Sequence, residues 1–199
     1  MTACIHLVRH CAHGDVGRVL TGRRPGVPLS DEGRAHAARV AEDIAARDSV
    51  AAIYASPRER TQETATIIAD RLGLRVGTAA ALDEVDFGDW TGRSFAELDG
   101  DAGWQHWNAA RSLARAPNGE AMGEAVARAV AYLEAIAASA PVGPVMCVTH
   151  CDIIRGVIAH YLGLDLDRLL RFDVDPGSVS TLVVGDWGGK VTMMNRCVR

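Results

Sequence analysis

The chain has 199 residues, 48% of them hydrophobic, and a formal net charge of -4 at pH 7. This length suits a single domain over residues 1–199, with a core that needs neither a disulfide nor a metal to hold it. The acidic balance argues against a nucleic-acid partner and against a membrane partner, because proteins that bind those rely on broad basic surfaces. Any anion that this protein binds must therefore be held locally.

The cysteines indicate a reducing compartment. Their number is odd and their spacing is not that of a secreted disulfide framework; they are Cys4, Cys11, Cys147, Cys151 and Cys197. The first residues lack the pattern of a secretory signal, and no run of about eighteen apolar residues occurs. We therefore expect a soluble, cytoplasmic protein with reduced thiols. The sequence carries no signal for an oligomeric state.

The first strand brings two polar side chains to its own end. Residues 3–9 are mostly apolar, which predicts a short buried strand, and the apolar run stops at Arg9 and His10. A loop rich in glycine, proline and arginine follows over residues 11–29. In open α/β sheets, ligands bind outside the carboxyl ends of the strands, so this edge is a candidate site.

A second strand and the helix after it bring an arginine to the same edge. Ser30 is a predicted N-cap for a helix over residues 31–47, and residues 50–55 form the next strand. That strand ends at Ser56-Pro57-Arg58-Glu59, which matches a capping box with the serine as N-cap. Arg60 would then lie in the first turn of a helix that begins where a strand ends.

The remaining elements alternate helices with short strands. The helix after Arg60 is expected to run to about Leu72, with Gly73 as the residue that follows its end. Residues 78–118 are harder to assign, with a loop-like stretch over 82–90 and short helical pieces after it. The later elements are a weak strand over 74–76, helical pieces over 94–98 and 103–115, a helix over 121–139, a strand over 145–149, a helix to 162, and two closing edge strands over 179–184 and 190–194. This order predicts an α/β fold, a three-layer sandwich whose mostly parallel sheet has helices on both faces.

Two strands present a histidine at their carboxyl ends, because the strand over 145–149 runs into His150. Arg9 and Arg60 are planar, permanently charged donors suited to phosphate oxygens. A histidine between them can act as a covalent nucleophile through an unprotonated ring nitrogen. Phosphoryl transfer asks mainly for positioning and charge neutralisation, so this set predicts a phosphotransfer site that works without a metal.

The proton for the leaving oxygen needs another donor. Glu84 lies in the polar loop before Trp90 and is the candidate, with Asp83 and Asp86 as neighbouring alternatives. Arg155 lies on the helix after His150, and a packing or helix-surface role is favoured for it over a phosphate contact.

Other polar residues do not belong to this set of strand-end side chains. The arginines of the first loop either bind a second anionic group of the substrate or are solvated, and the second is favoured; they are Arg18, Arg23 and Arg24. The other histidines are expected to be structural or solvated: His6, His13, His36, His106 and His160.

Five segments match one known pattern, in the same order and over nearly the whole chain. They are Leu7-Val8-Arg9-His10; Pro28-Leu29-Ser30-Asp31-Glu32-Gly33; Ser56-Pro57-Arg58-Glu59-Arg60-Thr61-Gln62-Glu63-Thr64-Ala65; Leu82-Asp83-Glu84 with Phe87-Gly88-Asp89-Trp90; and Thr149-His150 leading to Ile154-Arg155. Together they resemble the histidine phosphatase superfamily, which has the phosphoglycerate-mutase-like fold.

The resemblance implies a role for each candidate residue. His10 is implied as the phosphorylated nucleophile, and Glu84 as the acid and then the base. Arg9, Arg60 and His150 are implied to hold the phosphate, with His150 counted as catalytic as well. The resemblance also implies no metal and no other cofactor. We therefore expect a phosphatase that acts on a small phosphorylated substrate, a phosphate monoester, through a phosphohistidine.

The chain departs from the family pattern in several places. Cys11 and Ala12 stand where the family usually has glycine and glutamate, and Cys151 replaces another common glycine. Val16 stands where mutases carry an asparagine that binds substrate phosphate. These departures favour a hydrolase over a phosphoglycerate-type mutase. A catalytically silent module that binds phosphorylated ligands is the other alternative. A turnover assay with an aryl phosphate separates this module from a phosphatase.

The cysteines beside the two histidines allow two interpretations. If the thiols line the pocket, nearby arginines would favour the thiolate and make Cys11 and Cys151 sensitive to oxidation. The favoured interpretation is that both are small apolar fillers. A cysteine-dependent phosphatase is disfavoured, because the six residues between Cys11 and Arg18 exceed the spacing that such enzymes use.

Overall fold

In the computed structural model, which describes residues 1–198, six strands form one sheet between two layers of helices. The strands are β1 (Thr2–Arg9), β2 (Ala52–Ala55), β3 (Val76–Thr78), β4 (Val145–Thr149), β5 (Val179–Gly185) and β6 (Gly188–Arg196). The α-helices are α1 (Asp31–Arg47), α2 (Glu59–Leu72), α3 (Phe95–Leu98), α4 (Ala102–Ala109), α5 (Met122–Ala138) and α6 (Cys151–Leu162). Short 3-10 helices cover Ala80–Leu82, Gly88–Trp90 and Leu166–Arg171.

The sheet has the order β3-β2-β4-β1-β5-β6. The first four strands run parallel, while β5 is antiparallel to β1 and β6 is antiparallel to β5. The predicted α/β fold with a mostly parallel sheet is thus confirmed. The prediction that both closing strands are edges is wrong for β5, which lies between β1 and β6. Residues of β5 such as Leu182 are accordingly buried.

Alternation along the central strands fills two separate cores. On β1, Ile5 and Leu7 belong to a core that also contains residues of α5 and α6. Val8 faces the other way, into a core shared with Val40 of α1 and Ile68 of α2. Because successive residues of a strand point to opposite faces, one apolar strand supplies both layers.

Two of the predicted helix starts have different outcomes. Ser30 caps α1 as expected, since its hydroxyl accepts a hydrogen bond from the Gly33 amide at 3.0 Å. The capping box at Ser56 is wrong: α2 begins at Glu59, its N-cap is Arg58, and no side chain caps it. The Ser56 hydroxyl is instead bonded to Asp83 and His150, so tertiary partners outcompete the local cap.

The segment between β3 and α5 packs tightly. β3 lies two residues further along than predicted, and α4 ends at Ala109, well short of the expected 115. Phe87 and Trp107 are buried with ring centroids 5.8 Å apart, near the typical distance for an edge-to-face aromatic pair. Across residues 1–198, no helix is both long and apolar enough to cross a membrane.

Candidate active site

The register of the sheet places His10 beside His150. β1 and β4 are parallel neighbours in which Arg9 pairs with Thr149, and the His10 amide donates to the Thr149 carbonyl at 3.0 Å. The next residue on each strand is therefore a histidine at the same carboxyl edge. The two imidazole rings lie with their centroids 5.3 Å apart, and both are buried.

Arg60 bridges the two histidines. Its Nε donates to Nε2 of His10 at 3.3 Å, and one terminal nitrogen donates to Nδ1 of His150 at 3.1 Å. The same terminal nitrogen donates to the Gly22 carbonyl at 2.6 Å, which fixes the side chain against the first loop. Arg60 is 1% exposed, so a full positive charge is buried between the rings. Two imidazoles facing this charge must both be neutral.

Hydrogen bonding selects one tautomer of His10. Its Nδ1 lies 2.8 Å from the Cys11 carbonyl, and because a carbonyl can only accept, Nδ1 carries the hydrogen. Nε2 then keeps its lone pair, in agreement with the donation from Arg60. Burial, followed by the positive charges of Arg60 and Arg9, lowers the pKa of His10 well below its ordinary value, against the bond to Cys11. Nε2 is thus unprotonated at neutral pH, which is the state that a nucleophilic imidazole requires.

A chain of hydrogen bonds fixes His150 in the opposite tautomer. Since Nδ1 accepts from Arg60, Nε2 carries the hydrogen and donates to the Ser56 hydroxyl at 2.8 Å. That hydroxyl donates to the Asp83 carboxylate at 3.2 Å. Asp83 is held in turn by Arg58, whose Nε and terminal nitrogen reach its two oxygens at 2.9 and 2.8 Å. This bidentate pair leaves the chain little freedom to rotate.

Glu84 is held at the same edge. Thr149 donates to the Leu82 carbonyl at 2.6 Å, which ties the polar loop to the end of β4. The Glu84 carboxylate accepts from the Val85 amide at 2.9 Å, and its other oxygen lies 3.8 Å from Nδ1 of His150. Burial, followed by the charge of Asp152, raises the pKa of Glu84 to about 7, against the pull of Arg60. Glu84 can therefore hold or release a proton at neutral pH.

The site offers cationic donors that no protein group uses. Within residues 1–198, the buried Nε of Arg9 and one terminal nitrogen of Arg60 have no hydrogen-bond partner. Arg9 is anchored through its other end, where a terminal nitrogen donates to the Val174 carbonyl at 2.6 Å. Buried donors without partners are costly, so these two nitrogens indicate a place for an anion.

A cavity of about 400 Å³ opens onto this edge of the sheet. Arg9, His10 and Glu84 line it, whereas Arg60 and His150 lie beneath its wall with almost no exposed surface. Aromatic and apolar side chains form much of the remaining lining, among them Val16, Phe87, Phe95 and Trp104. This combination of an apolar wall with a few convergent polar groups is typical of a small-molecule site.

Residues 5–196 match the family model of the histidine phosphatase superfamily (branch 1), which agrees with this geometry. The chain belongs to the histidine phosphatase superfamily. The match covers nearly the whole sequence and includes both strand-end histidines and Arg60.

Several relatives of this chain are named as phosphatases. Phosphoserine phosphatase 1 of Hydrogenobacter thermophilus is 28% identical over 181 residues, covering 88% of this chain and 84% of that protein. Glucosyl-3-phosphoglycerate phosphatase of Mycobacterium tuberculosis is 29% identical over 164 residues, covering 76% and 73%. Uncharacterised proteins of Mycobacterium tuberculosis are 51% identical over 81 residues, so the chain spans only 39% of their length.

Solved structures of the superfamily resemble this fold closely. The YhfR protein of Bacillus stearothermophilus has a TM-score of 0.88 at 26% identity, with 96% of each chain covered. A mycobacterial glucosyl-3-phosphoglycerate phosphatase in complex with VO3 has a TM-score of 0.86 at 26% identity, covering 97% of this chain and 98% of that one. The phosphoglycerate-mutase-like, three-layer architecture expected from the sequence is therefore present here.

The structure brings together the five side chains that the sequence proposed for one site: Arg9, His10, Arg60, Glu84 and His150. Sequence reasoning missed His13. Its ring centroid lies 5.4 Å from that of His10, it lines the cavity, and burial with the charges of Arg60 and Arg9 lowers its pKa to about 4. Its position three residues after His10 in the sequence was the signal that could have placed it in the site.

One arginine prediction is extended by the structure, and another is wrong. Arg155 packs through its Nε on the Phe172 carbonyl and also lines the cavity. Arg23 is not a solvated loop residue: it donates to the Glu84 carbonyl at 2.8 Å and to Glu120 at 2.9 Å, so it helps to hold the Glu84 loop. In both cases the partners come from distant parts of the chain, which the local sequence does not show.

The two cysteines beside the histidines lie in different places. Cys11 is fully buried in a small cluster with Leu29 and Ala37, whereas Cys151 lines the cavity and donates to the Val174 carbonyl at 3.6 Å. Burial raises the pKa of Cys11 to about 12 and that of Cys151 to about 11. Arginine proximity therefore does not produce a thiolate, and the interpretation as apolar fillers is favoured for Cys11.

Proposed function

We propose that this chain, acting as one domain, is a phosphatase that hydrolyses a small phosphate monoester through a phosphohistidine on His10, without a metal ion. The observation that carries the proposal is the hydrogen bonding of His10. Nδ1 donates to the Cys11 carbonyl, and Nε2 keeps its lone pair beside Arg60 at the carboxyl edge of the sheet. The relatives named as phosphatases support the same class of reaction.

In the first step, Nε2 of His10 attacks the phosphorus atom of the monoester. A nitrogen–phosphorus bond forms, and the bond from phosphorus to the ester oxygen breaks. The departing oxygen takes the proton of the neutral Glu84 carboxyl, so the alcohol leaves uncharged. The hydrogen stays on Nδ1 and is donated to the Cys11 carbonyl, and this hydrogen bond stabilises the positive charge that develops on the ring.

In the second step, water attacks the phosphohistidine. The Glu84 carboxylate left by the first step takes a proton from the water, and the nitrogen–phosphorus bond breaks as the new oxygen–phosphorus bond forms. Inorganic phosphate leaves, and both His10 and Glu84 return to their starting protonation states. A pKa of about 7 for Glu84 suits this alternation, because a group near the ambient pH can serve as both acid and base.

The arginines supply the charge that phosphoryl transfer needs. In this proposal the nitrogens of Arg9 and Arg60 that have no partner among residues 1–198 bind the equatorial oxygens of the transferring group. Two permanent positive charges match a phosphoryl dianion, and the rigid contacts of Arg60 to Gly22 and His150 hold its donors before substrate arrives. Such preorganised donors stabilise developing charge without reorganisation during the reaction.

A hydrolase is favoured over a mutase. Val16 lines the cavity where the mutase pattern has an asparagine, so this position offers no amide to a substrate phosphate. A phosphoenzyme in this site is therefore expected to react with water.

Turnover of an aryl phosphate tests the proposal. The wild-type protein should release phosphate in buffer with a metal chelator, and His10→Ala should lose activity roughly 10³-fold or more. His106→Ala is the matched control, because His106 is exposed and does not line the cavity. Activity that survives in His10→Ala contradicts the proposed nucleophile. Phosphate binding without turnover in the wild type would identify a silent binding module.

A further inference from the structure

A second group of charged residues lines the same cavity. Arg111 follows α4, while Asp152 and Arg155 lie on α6, in the turns just after His150. We refer to Arg111, Asp152 and Arg155 as the arginine cluster. None of the three touches the reacting atoms in the two steps above, although the charge of Asp152 helps to raise the pKa of Glu84. None was assigned to the site from the sequence.

Arg111 is a rigid, buried member of the arginine cluster. It is 5% exposed, and its guanidinium carbon lies 5.7 Å from the centroid of the Trp107 ring. Its terminal nitrogens donate to Asn108 at 2.9 Å and to Asp152 at 3.1 Å. Its Nε is buried and has no partner in the part of the chain that the structure describes. A buried charged donor left in this state indicates an absent acceptor.

Arg155 also has donors to offer. Its Nε donates to the Phe172 carbonyl at 3.2 Å, which fixes the guanidinium plane. Its terminal nitrogens lie 3.8 Å from Asp152 and 3.6 Å from Asp173, both longer than a hydrogen bond. The Asp173 carboxylate is 83% exposed, so water can solvate it when Arg155 turns to a ligand.

The charge of the arginine cluster matches a monoanion. Two guanidinium groups surround one carboxylate, Asp152, and leave a net charge of one plus. The oxygens of Asp152 already face Arg111 and Arg155, and the Asn108 amide group donates to the Trp104 carbonyl at 2.9 Å. The cluster therefore has more guanidinium donors than its single carboxylate takes up, since only one Asp152 oxygen accepts a hydrogen bond from it. Arginine forks of this kind suit a carboxylate.

We propose that the arginine cluster binds a carboxylate of the substrate while the phosphoryl group lies at His10. The inference rests on the proposed function and narrows it to phosphate monoesters that carry a carboxylate on the same short carbon skeleton. His10 and Arg155 line the same cavity, and Arg155 follows His150 by five residues, which is about 7.5 Å along a helix axis. A cavity of about 400 Å³ has room for both ends of such a molecule.

Matched ligand pairs test the inference. O-phosphoserine and phosphoethanolamine differ by one carboxylate, and 3-phosphoglycerate and glycerol 3-phosphate differ by a carboxylate in place of a hydroxymethyl group. Binding is measured by calorimetry on His10→Ala protein, in which no phosphohistidine can form, so the result does not depend on turnover. We expect at least one carboxylated ligand to bind about tenfold tighter than its partner, as charge-assisted hydrogen bonds predict.

Variants of the cluster give the second arm of the test. In the same background, Arg155→Gln and Arg111→Gln should each reduce the preference for the carboxylated ligand to about twofold or less. Arg75→Gln is the control, since Arg75 is exposed and does not line the cavity. If Arg111→Gln fails to fold because the residue is buried, Arg155→Gln still decides the matter.

The outcomes separate the two proposals. Equal binding within both ligand pairs, or a preference that neither variant changes, overturns the carboxylate site and leaves the phosphatase proposal intact. If the wild-type protein does not hydrolyse an aryl phosphate but the preference is present and depends on Arg155, the proposed function fails and the binding site stands.

Discussion

The Nε of Arg60 donates to Nε2 of His10 across 3.3 Å, inside a site that is almost closed to solvent. A permanent cation in this position keeps the imidazole neutral, and it also attracts an anion to the same place. When a phosphoryl group enters, the same arginine can bind its oxygens while Nε2 approaches the phosphorus. In the proposed mechanism, the Arg60 side chain thus keeps the nucleophile neutral and also binds the phosphoryl group that the nucleophile attacks.

Arg60→Lys should therefore behave almost like Arg60→Ala. A lysine has one ammonium group and cannot donate at once to His10, His150 and the Gly22 carbonyl. We expect kcat/KM for an aryl phosphate to fall by roughly 10²-fold or more in both variants. The measurement is steady-state kinetics, with Arg75→Lys as control. A lysine variant that keeps more than half of the wild-type kcat/KM contradicts the bridging role.

Glu84→Gln should act selectively on poor leaving groups. An alkoxide needs a proton in the transition state, whereas a nitrophenolate hardly does. The variant should slow an alkyl phosphate at least tenfold more than an aryl phosphate, since general acid catalysis contributes about 10²–10⁴-fold. Kinetics on the two substrates give the ratio directly. Equal losses on both would assign the proton to another group, with Asp83 and Asp86 as the neighbouring candidates.

The raised pKa of Glu84 also predicts how stability depends on pH. The folded protein holds this proton up to a pH of about 7, while the unfolded chain releases it near the ordinary value of 4.5. Folding is therefore favoured by this group below pH 4.5, and the advantage is lost as the pH rises through 7. Glu84→Gln should raise the free energy of unfolding at pH 8 relative to wild type by about 3 kcal/mol, with little effect at pH 4.5. Urea unfolding at the two pH values measures the difference. A gain of the same size at both would show that charge burial is not the cause.

The thiols next to the histidines should be slow to react. Because burial raises the pKa values of Cys11 and Cys151, both remain protonated at neutral pH and are weak nucleophiles. An alkylating reagent at pH 7.5 should modify the exposed Cys197 first, with phosphatase activity unchanged at that stage. Peptide mass spectrometry during the reaction gives the order. Early labelling of Cys151 together with loss of activity would support the redox-sensitive alternative.

Much of the site follows from local patterns in the sequence. An apolar strand that stops at Arg9 and His10, a second that stops at His150, and a strand-to-helix turn before Arg60 all place residues at one sheet edge, because parallel strands end together. Glu84 was proposed from chemistry, since a phosphatase needs a proton donor. These inferences depend on the neighbours of each residue in sequence, which is why they could be made without coordinates.

Other features depend on tertiary contacts that local sequence patterns do not predict. Ser56 has the sequence context of a helix cap, yet its hydroxyl joins Asp83 and His150 because both lie within hydrogen-bond distance in the fold. The interior position of β5 follows from pairing with β1 across most of the chain length. Arg111 and Arg155 meet at Asp152 only because α4 and α6 are brought together.

The most direct test of the account is to trap the phosphoenzyme. Wild-type protein mixed with a phosphate monoester and quenched at alkaline pH should carry a phosphoryl group that survives base and is lost in acid, and peptide mass spectrometry should place it on His10. Glu84→Gln should retain the label on His10 for longer than wild type, because the base for the attacking water is absent, and His10→Ala should carry no label. A phosphoryl group on another residue, or undiminished turnover by His10→Ala, would contradict the account.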